Sequence, residues 1–249
     1  MGQMTIGGVD IDDLGLKLLR AMELKPPEPK TVYVSVPGGD GVLDLTEAAT
    51  GDVAYSNREQ AFVFDATGDF EAAKTRVSNM LHGRRLEYTV PGDPGYTYKG
   101  RFAVEEYEEA RAGRGRIRIA VSADPYKRKP DQTFRVRAGG GADVRLPSGR
   151  MRVSPVFECS RPTVVTCNGV SATIPAGAGK VRGLYLHEGR NDMYVNSTPD
   201  LTAAAWGDFA SDTWGDYAGM TWAEVAWRGH ERPTGDQYDV FVTYEWGDL

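Results

Sequence analysis

Histidines, cysteines and clustered carboxylates are the side chains that most often build an active site or a metal site, and this chain has few of them. Its three histidines are His82, His187 and His230, and none has the short spacing that lets two imidazoles bind one metal ion. The two cysteines, Cys159 and Cys167, have a C-x7-C spacing that matches no common zinc site. In a reducing cytoplasm we expect two buried thiols rather than a disulfide.

Two acidic clusters are the remaining candidates for chemistry. The first has four glutamates between residues 105 and 109, but acids beside a basic loop more often form the solvated end of a strand. The second, at Asp10, Asp12 and Asp13, lacks the glycine and the distal glutamate of a calcium loop. The chain has no Gly-x-Ser-x-Gly elbow, Walker sequence or dinucleotide fingerprint. We therefore predict a protein that is not an enzyme and that holds no metal and no cofactor.

The composition is that of a globular protein with room for one large β domain or two ordinary ones. The chain has 249 residues, of which 41% are hydrophobic and 26% are charged. No apolar run approaches the roughly 20 residues of a membrane span, so we expect no membrane partner. The first residues show no basic region followed by an apolar core, so we expect no secretory signal.

Charge is unevenly distributed along the chain, although the net charge is only −6. Residues 111–152 are strongly basic and residues 187–249 are strongly acidic. These segments could be solvated faces of a monomer, or complementary faces of neighbouring subunits, since opposite potentials steer association. Nucleic-acid binding is less favoured because Tyr126 and Phe134 are the only aromatic residues in the basic segment. DNA is therefore not expected as a bound partner.

The clearest strand pattern lies between residues 81 and 128. Ile117 and Ile119 alternate with arginines, and two earlier runs, 86–90 and 102–104, alternate in the same way. Turn sequences rich in proline and glycine separate the runs. The pattern predicts an antiparallel meander with an arginine-rich outer face and an Arg/Gly loop before the last strand.

One segment, residues 69–81, has the pattern of a helix. Asp69 can cap its first turn, and the apolar residues from Phe70 onward recur at near 3.6-residue spacing, with Gly83 as a stop. Residues 14–24 are ambiguous, because their leucines fit either a helix or a strand. Further strands are predicted at 31–36, 42–45 and 60–64, with a glycine-rich turn at 37–41.

The second half of the chain reads as a series of short strands. Residues 127–130 have the composition of a domain link. Short strands at regular spacing predict a β-sandwich or jelly roll. The extended runs are 133–137, 150–155, 164–167, 171–174, 180–186, 193–195 and 238–245, with glycine-rich turns at 139–141 and 177–179.

A repeat between residues 206 and 229 interrupts this rhythm. Trp206, Trp214 and Trp222 recur with an eight-residue period, each followed by a small and then an acidic residue. We interpret the repeat first as packing of an insertion onto the sandwich. The alternative is an exposed aromatic patch for sugar or protein partners. The candidate contact residues are Trp206, Trp214, Trp222 and Trp227.

The ordered set of short motifs in the first half resembles the distal tail protein (Dit) family of long, flexible-tailed bacteriophages and related prophage tail components. The resemblance covers roughly residues 5–128, and the second half is similar to the galectin-like or carbohydrate-module-like sandwich of that family. The repeat at 206–229 departs from that sandwich. The motifs are Ile6-Gly-Gly-Val to Asp13-Leu-Gly-Leu, Val34-Ser-Val-Pro-Gly-Gly-Asp-Gly, Tyr55-Ser-Asn-Arg58, Leu81-His-Gly-Arg-Arg-Leu, Asp93-Pro-Gly-Tyr-Thr-Tyr-Lys-Gly-Arg-Phe102 and Ala123-Asp-Pro-Tyr126.

The resemblance implies a mainly β protein with two domains. Residues 1–130 would form a barrel-like or sandwich domain with one helix and a hairpin, assembling as a hexameric ring around a channel. Residues 131–249 would form a galectin-like sandwich that carries the Trp-rich insertion. It also favours a strand over a helix at 14–24.

The resemblance further implies a structural virion protein of the tail tip or baseplate, assembled in the host cytoplasm. Its partners would be itself, the tail tube protein, a tail-tip hub or tail-associated protein, and a receptor-binding protein, with DNA only passing through the channel. The alternative is a module that binds host surface glycan through the second domain. A tail-associated hydrolase would need a carboxylate pair in a cleft.

Arginines near the meander are the expected ring contacts, because rings need two different complementary patches on each subunit. The candidates are Arg101, Arg111, Arg114, Arg116 and Arg118.

Overall fold

A computed structural model describes residues 4–21, 24–66, 68–111, 114–139, 141–197, 213, 215 and 237–249. Within these residues there are seventeen strands and one helix, so the predicted mainly β fold class is confirmed. The chain divides into two compact units. The first unit contains residues Met1–Pro130 together with Trp246–Leu249, and the second contains Asp131–Glu245.

The first unit is built on a seven-stranded sheet. Its strands are β1 (Thr5–Ile6), β2 (Val9–Asp10), β3 (Leu16–Ala21), β6 (Arg58–Ala66), β7 (Arg85–Tyr88), β8 (Tyr98–Arg111) and β9 (Arg114–Ala123). They lie in the order β2-β1-β7-β8-β9-β6-β3, and the pairings within it are antiparallel. Two further strands, β4 (Tyr33–Ser35) and β5 (Val42–Asp44), pair only with each other. Residues 16–21 of the ambiguous segment form strand β3, so they are extended and not helical.

The β8–β9 hairpin is the centre of this sheet. Ile117, Ile119 and Val121 of β9 are fully buried, and the residues between them are exposed or half-buried, as the alternation predicts. The Arg/Gly loop expected before the last strand is wrong for Arg111 and for residues 114–118, because β8 extends to Arg111 and β9 begins at Arg114. From Arg114 onward, exposed arginines alternate with the buried Gly115 and Ile117, so the strand pattern continues through these residues.

The predicted helix is confirmed as α1 (Phe70–Leu81). The Asp69 carboxylate accepts hydrogen bonds from the amides of Glu71 (3.0 Å) and Ala72 (3.2 Å), satisfying donors that the helix itself leaves unpaired. Phe70, and with it Ala73, Val77 and Leu81, joins the core of the sheet. No helix in the described part of the chain has the length and apolar character needed to span a membrane.

The second unit contains two four-stranded sheets. Their strands are β10 (Lys127–Ala138), β11 (Ala142–Ser148), β12 (Val156–Cys159), β13 (Thr163–Cys167), β14 (Val170–Ile174), β15 (Gly177–Lys180), β16 (Gly189–Ser197) and β17 (Tyr238–Asp248). The strand order is β10-β17-β12-β15 in the first sheet and β11-β16-β13-β14 in the second. Buried residues alternate along the strands, as in a β-sandwich.

Residues 127–130 lie within β10, and the boundary between the two units follows them, where the sequence predicted a domain link. Three other expectations for this half of the chain are wrong. The run 180–186 is a strand only at Lys180, the last residue of β15. The run 150–155 forms no strand and contributes a single bridge, Val153 to Leu186. The glycines at 177–179 belong to the edge strand β15, which pairs with β12 through backbone groups and therefore needs no large side chains.

Candidate functional site

The hairpin formed by β4 and β5 belongs to a segment that is exposed along nearly its whole length. Residues 31–46, called the arm from here on, are exposed at every position up to 45. The register pairs Tyr33 with Asp44 and Val34 with Leu43. Residues that pair directly in an antiparallel ladder share a face, so the arm has two distinct faces.

One face of the arm consists entirely of large apolar side chains. The exposed fractions of these side chains lie between 37% for Leu45 and 51% for Val32 and Leu43. The opposite face also carries apolar groups, with Tyr33 57% and Val42 63% exposed. A monomer rarely leaves contiguous apolar patches larger than roughly 300–600 Å² uncovered. The residues of the apolar face are Val32, Val34, Val36, Leu43 and Leu45.

The arm is nevertheless held in a defined conformation by its own polar groups. The Leu45 amide donates to the Val32 carbonyl (2.8 Å), and the Val32 amide donates to Thr46 Oγ1 (3.1 Å). The Thr46 amide and hydroxyl bind Asp44, which holds the pKa of that carboxyl below its usual value. The arm is therefore a preformed hairpin that offers apolar surface.

The five candidate arginines belong to the strands of the β8–β9 hairpin, and Arg101, Arg114, Arg116 and Arg118 are exposed on its outer face. Arg116 and Arg118 alternate with buried residues of β9, and the side chain of Arg114 is exposed as well. Arg101 projects from β8 and donates to the Gly83 carbonyl (2.6 Å). Arg111 lies opposite Arg114 in the register. The structure thus places all five candidates on one hairpin.

This face is not the uncompensated basic surface that the sequence suggested. Arg118 Nε lies 2.9 Å from Glu105 Oε2, and Arg116 Nη1 lies 3.9 Å from Glu108 Oε2. The two glutamates come from the acidic cluster considered for catalysis. Because they are exposed and paired with arginines, they form a mixed-charge band rather than a carboxylate pair in a cleft.

Beside the mixed-charge band the same face has a neutral strip. Ala61, Ala120 and Ala103 lie directly beside one another on β6, β9 and β8. On the far side of the strip, the Ser122 hydroxyl donates to Glu59 Oε1 (2.9 Å). The neutral strip is flat because its side chains are small, and it lies between two polar bands.

The other residues singled out for chemistry have structural partners. His82 Nδ1 accepts a hydrogen bond from the Val104 amide (3.0 Å). Cys159 and Cys167 are buried free thiols, as predicted, and burial raises the pKa of Cys167. Among the described residues, no group of three or more His, Cys, Asp or Glu side chains could hold a metal ion. His230 lies outside the described residues.

The four tryptophans predicted as sugar or protein contacts all belong to the repeat at 206–229. Trp206, Trp214, Trp222 and Trp227 lie outside the described residues, as does nearly all of the repeat at 206–229. Trp246, in contrast, is described and belongs to the first unit. The sequence pattern predicted no role for Trp246.

Residues 246–249 return to the first unit through a polar cluster. Asp248 Oδ2 accepts from the Tyr96 hydroxyl (2.6 Å) and from Trp246 Nε1 (2.9 Å). Lys127 lies 4.4 Å from the ring centre of Tyr96, and Lys129 packs against the rings of both Tyr96 (4.8 Å) and Trp246 (5.1 Å). No local sequence pattern signals contacts between residues this far apart along the chain.

Comparison with known proteins gives a likeness of fold. No family model and no curated protein sequence matches the chain. The crystal structure of SPP1 Dit (gp 19.1), a paradigm of the hub adsorption apparatus in phages that infect Gram-positive bacteria, matches with a TM-score of 0.58 and 13% identity, covering 99% of each chain. PA5104 of Pseudomonas aeruginosa PAO1 matches over 93% of this chain and 98% of its own with 12% identity, but its TM-score of 0.27 supports no argument. The chain is therefore similar in fold to SPP1 Dit over nearly its whole length.

Proposed function

We propose that this chain is a structural virion protein of the phage tail tip. It would act as a distal tail or baseplate hub that assembles into a ring and joins the tail tube to the host-recognition apparatus. The fold likeness to SPP1 Dit supports the tail-tip role. The observation that carries the proposal of ring assembly is the arm, whose apolar face is 37–51% exposed in a single copy.

The arm gains stability when its apolar face is removed from water. An isolated two-stranded hairpin is only marginally stable, and the arm's own hydrogen bonds leave its large side chains solvated. Burial of Val34 and Leu43 against a partner would supply the missing hydrophobic contribution. A preformed hairpin also loses less conformational entropy on docking than a loop would.

A second copy of the chain is the partner we propose. A closed ring needs a heterologous contact, in which one patch of each subunit meets a different patch of the next. The arm provides the first patch and the neutral strip a flat second patch, on which small alanine side chains leave room for valine and leucine. The mixed-charge band, with Arg116 and Arg118, would then fix the alignment of neighbouring subunits rather than supply most of the affinity between them.

The remaining partners follow from a place at the tail tip. The ring, six-membered in this proposal, would bind the tail tube protein on one side and a tail-tip hub or tail-associated protein on the other. The second unit would hold a receptor-binding protein. Assembly would take place in the bacterial cytoplasm, and DNA would only pass through the channel.

The test replaces two residues that face each other across the arm. The variant Val34→Lys/Leu43→Glu retains pairing, because opposite charges directly across an antiparallel ladder are compatible with it, but it removes two apolar side chains from the face. Size-exclusion chromatography with light scattering, at low and high protein concentration, should show the wild-type protein as a multiple of the 27.2 kDa chain. The variant should remain a monomer.

Tyr194→Lys is the matched control, since Tyr194 is a similarly exposed apolar side chain (39%) on β16 of the second unit. We expect this variant to assemble like the wild-type protein. A wild-type chain that is a monomer at every concentration and salt, and that is absent from purified tail tips, would contradict the proposed ring.

Glycan contact by the second unit is a second candidate function, and a groove of about 360 Å³ favours it. The ring of Phe241 is 38% exposed in this groove, beside Glu158 and Asp239. Asp239 is paired with Arg135 at 2.5 Å. An exposed aromatic ring next to charged hydrogen-bonding groups suits a sugar, which has apolar C–H faces and polar hydroxyls.

Binding of the full chain to soluble bacterial cell-wall polysaccharide tests this candidate. Phe241→Ala should weaken binding about two- to tenfold if the ring supports a sugar, in the range of one aromatic contact. Tyr194→Ala, an equally exposed aromatic on the other sheet, should leave binding unchanged. Equal binding by all three proteins would remove the groove from consideration.

A further inference from the structure

Arg58 is an almost fully buried arginine that lacks a carboxylate partner. It begins β6 and is 4% exposed. Its Nε donates to the Pro125 carbonyl (2.7 Å) and its Nη1 to the Lys25 carbonyl (3.2 Å), while Nη2 has no acceptor. Burial lowers the pKa of this guanidinium. A buried arginine is normally paired, so this one has an unmet requirement for negative charge.

Gln60 has a second unpaired donor on the same face of the same strand. It is 6% exposed, and its Oε1 accepts from the Tyr88 hydroxyl at 2.5 Å. Its Nε2 has no acceptor. Two buried donors without acceptors, two residues apart, are uncommon in a native core because each costs the free energy of its lost hydration.

A cavity of about 280 Å³ lies beside Arg58 within the first unit. Lys127 lines it as a second cation, and Asp93 lines it as an anion. Asp93 already accepts from the Tyr98 hydroxyl (2.5 Å) and pairs with Lys127 (3.0 Å). Asp93 therefore acts on the charge of Arg58 only from beyond ion-pair distance, and Nη2 of Arg58 has no acceptor among the described residues. The other lining residues are Leu24, Pro26, Gly92 and Leu249.

The cavity lies between the segment that precedes the arm and the strand β6 that follows it. Leu24 and Pro26 precede the arm, and Arg58 follows it. Arg58 also donates a hydrogen bond to the Lys25 carbonyl, so one guanidinium already connects the segment before the arm to the strand after it. An occupant of the cavity would contact both ends at once.

We propose that this cavity binds a small oxyanion, either a carboxylate or a phosphate, against Arg58 and Lys127. Acceptor-only anions satisfy guanidinium and ammonium donors, and charge-assisted hydrogen bonds are about twice as strong as neutral ones. The cavity has room for such an anion and several waters, at about 30 Å³ for each water. The bound anion neutralises Arg58 and stabilises the root of the arm. This inference does not depend on ring assembly.

Thermal unfolding of the full chain tests the site. Sodium phosphate and sodium acetate are titrated against sodium chloride at matched ionic strength and at a fixed oligomeric state. A ligand that binds only the folded protein raises its melting temperature in a saturable way. A rise with phosphate alone identifies a phosphate site, and a rise with acetate a carboxylate site. No rise, or an equal rise with chloride, overturns the proposal.

Two variants separate the site from a general salt effect. Lys127→Met should weaken the apparent affinity for the anion at least tenfold, because it removes one of the two cations. Lys99→Met is the control, since Lys99 pairs with exposed Glu87 and does not line the cavity. Equal responses of the two variants would contradict the assignment.

Hydrogen exchange gives a second readout that does not require a variant to fold. The anion should slow amide exchange at least threefold in residues 24–30 and 91–98, and leave the sandwich strands of the second unit unchanged. Unchanged exchange at both segments under saturating phosphate and acetate would overturn the stabilising role. A failure here would leave the arm experiment intact, because that experiment measures mass and not anion binding.

Discussion

Two hairpins of the first unit have similar alternating sequences and opposite surroundings. In the β8–β9 hairpin, Ile119 and Val121 are fully buried in the core that also contains α1. In the arm, Val34 and Leu43 are 41% and 51% exposed. The first hairpin therefore stabilises the monomer, and the second carries the exposed apolar surface on which the proposed assembly depends. Alternation predicts a strand in both cases, but burial decides which role the strand has.

The largest contrast between the hairpins should appear in the free energy of unfolding. Phe102→Ala removes a fully buried ring from β8 and should cost about 3–5 kcal/mol. Val34→Ala, in a monomeric preparation, should stay within about 0.5 kcal/mol of wild type because its side chain is solvated. Urea unfolding measures both. Similar costs for the two variants would show that the arm packs within its own subunit.

A smaller contrast concerns glycines. A Cβ at Gly115 would lie 2.4 Å from the ring of Phe70, so Gly115→Ala should overpack the contact between β9 and α1 and destabilise by about 1–3 kcal/mol. Gly92→Ala is the matched control, because a Cβ there meets nothing within 4 Å. If both substitutions were neutral in urea unfolding, the close packing of Phe70 on β9 would be incorrect.

The smallest change in the free energy of unfolding is expected from substitutions in the mixed-charge band of the β8–β9 hairpin. Arg118→Ala breaks an exposed ion pair with Glu105 and should cost about 0.2–1 kcal/mol. The charge swap Arg118→Glu/Glu105→Arg restores the pair within the subunit and reverses the charges presented to a neighbour. If the mixed-charge band fixes register, the swap should retain stability and reduce assembly in light scattering. Full assembly of the swapped protein would remove Arg118 from the interface.

Much of the first unit could be predicted because its signals are local. The cap at Asp69 and the spacing of Phe70, Ala73 and Val77 specify α1 without reference to any other element. The alternation of Ile117 and Ile119 specifies β9 in the same way. The loop expected beside it was wrong because glycines and arginines were taken as turn residues, although their positions continue the alternation.

What could not be predicted depends on contacts between distant residues. Tyr96 and Asp248 are 152 residues apart in the chain, and no periodicity links them. The same holds for Arg58, whose partners at Lys25 and Pro125 come from two separate loops. The arm was predicted as strands, but its exposure was not, because a hydrophobic pattern does not show what covers each face.

The most direct test of the account asks where the apolar face of the arm lies in the assembled protein. A photo-crosslinking residue at position 43, in a mixture of isotopically heavy and light protein, distinguishes contacts within one chain from contacts between chains. We expect mixed heavy–light cross-links from Leu43 to residues around Ala61, Ala103 and Ala120 of the neighbouring copy. An assembled particle that gives only cross-links within one chain would contradict the claim that the arm holds the ring together.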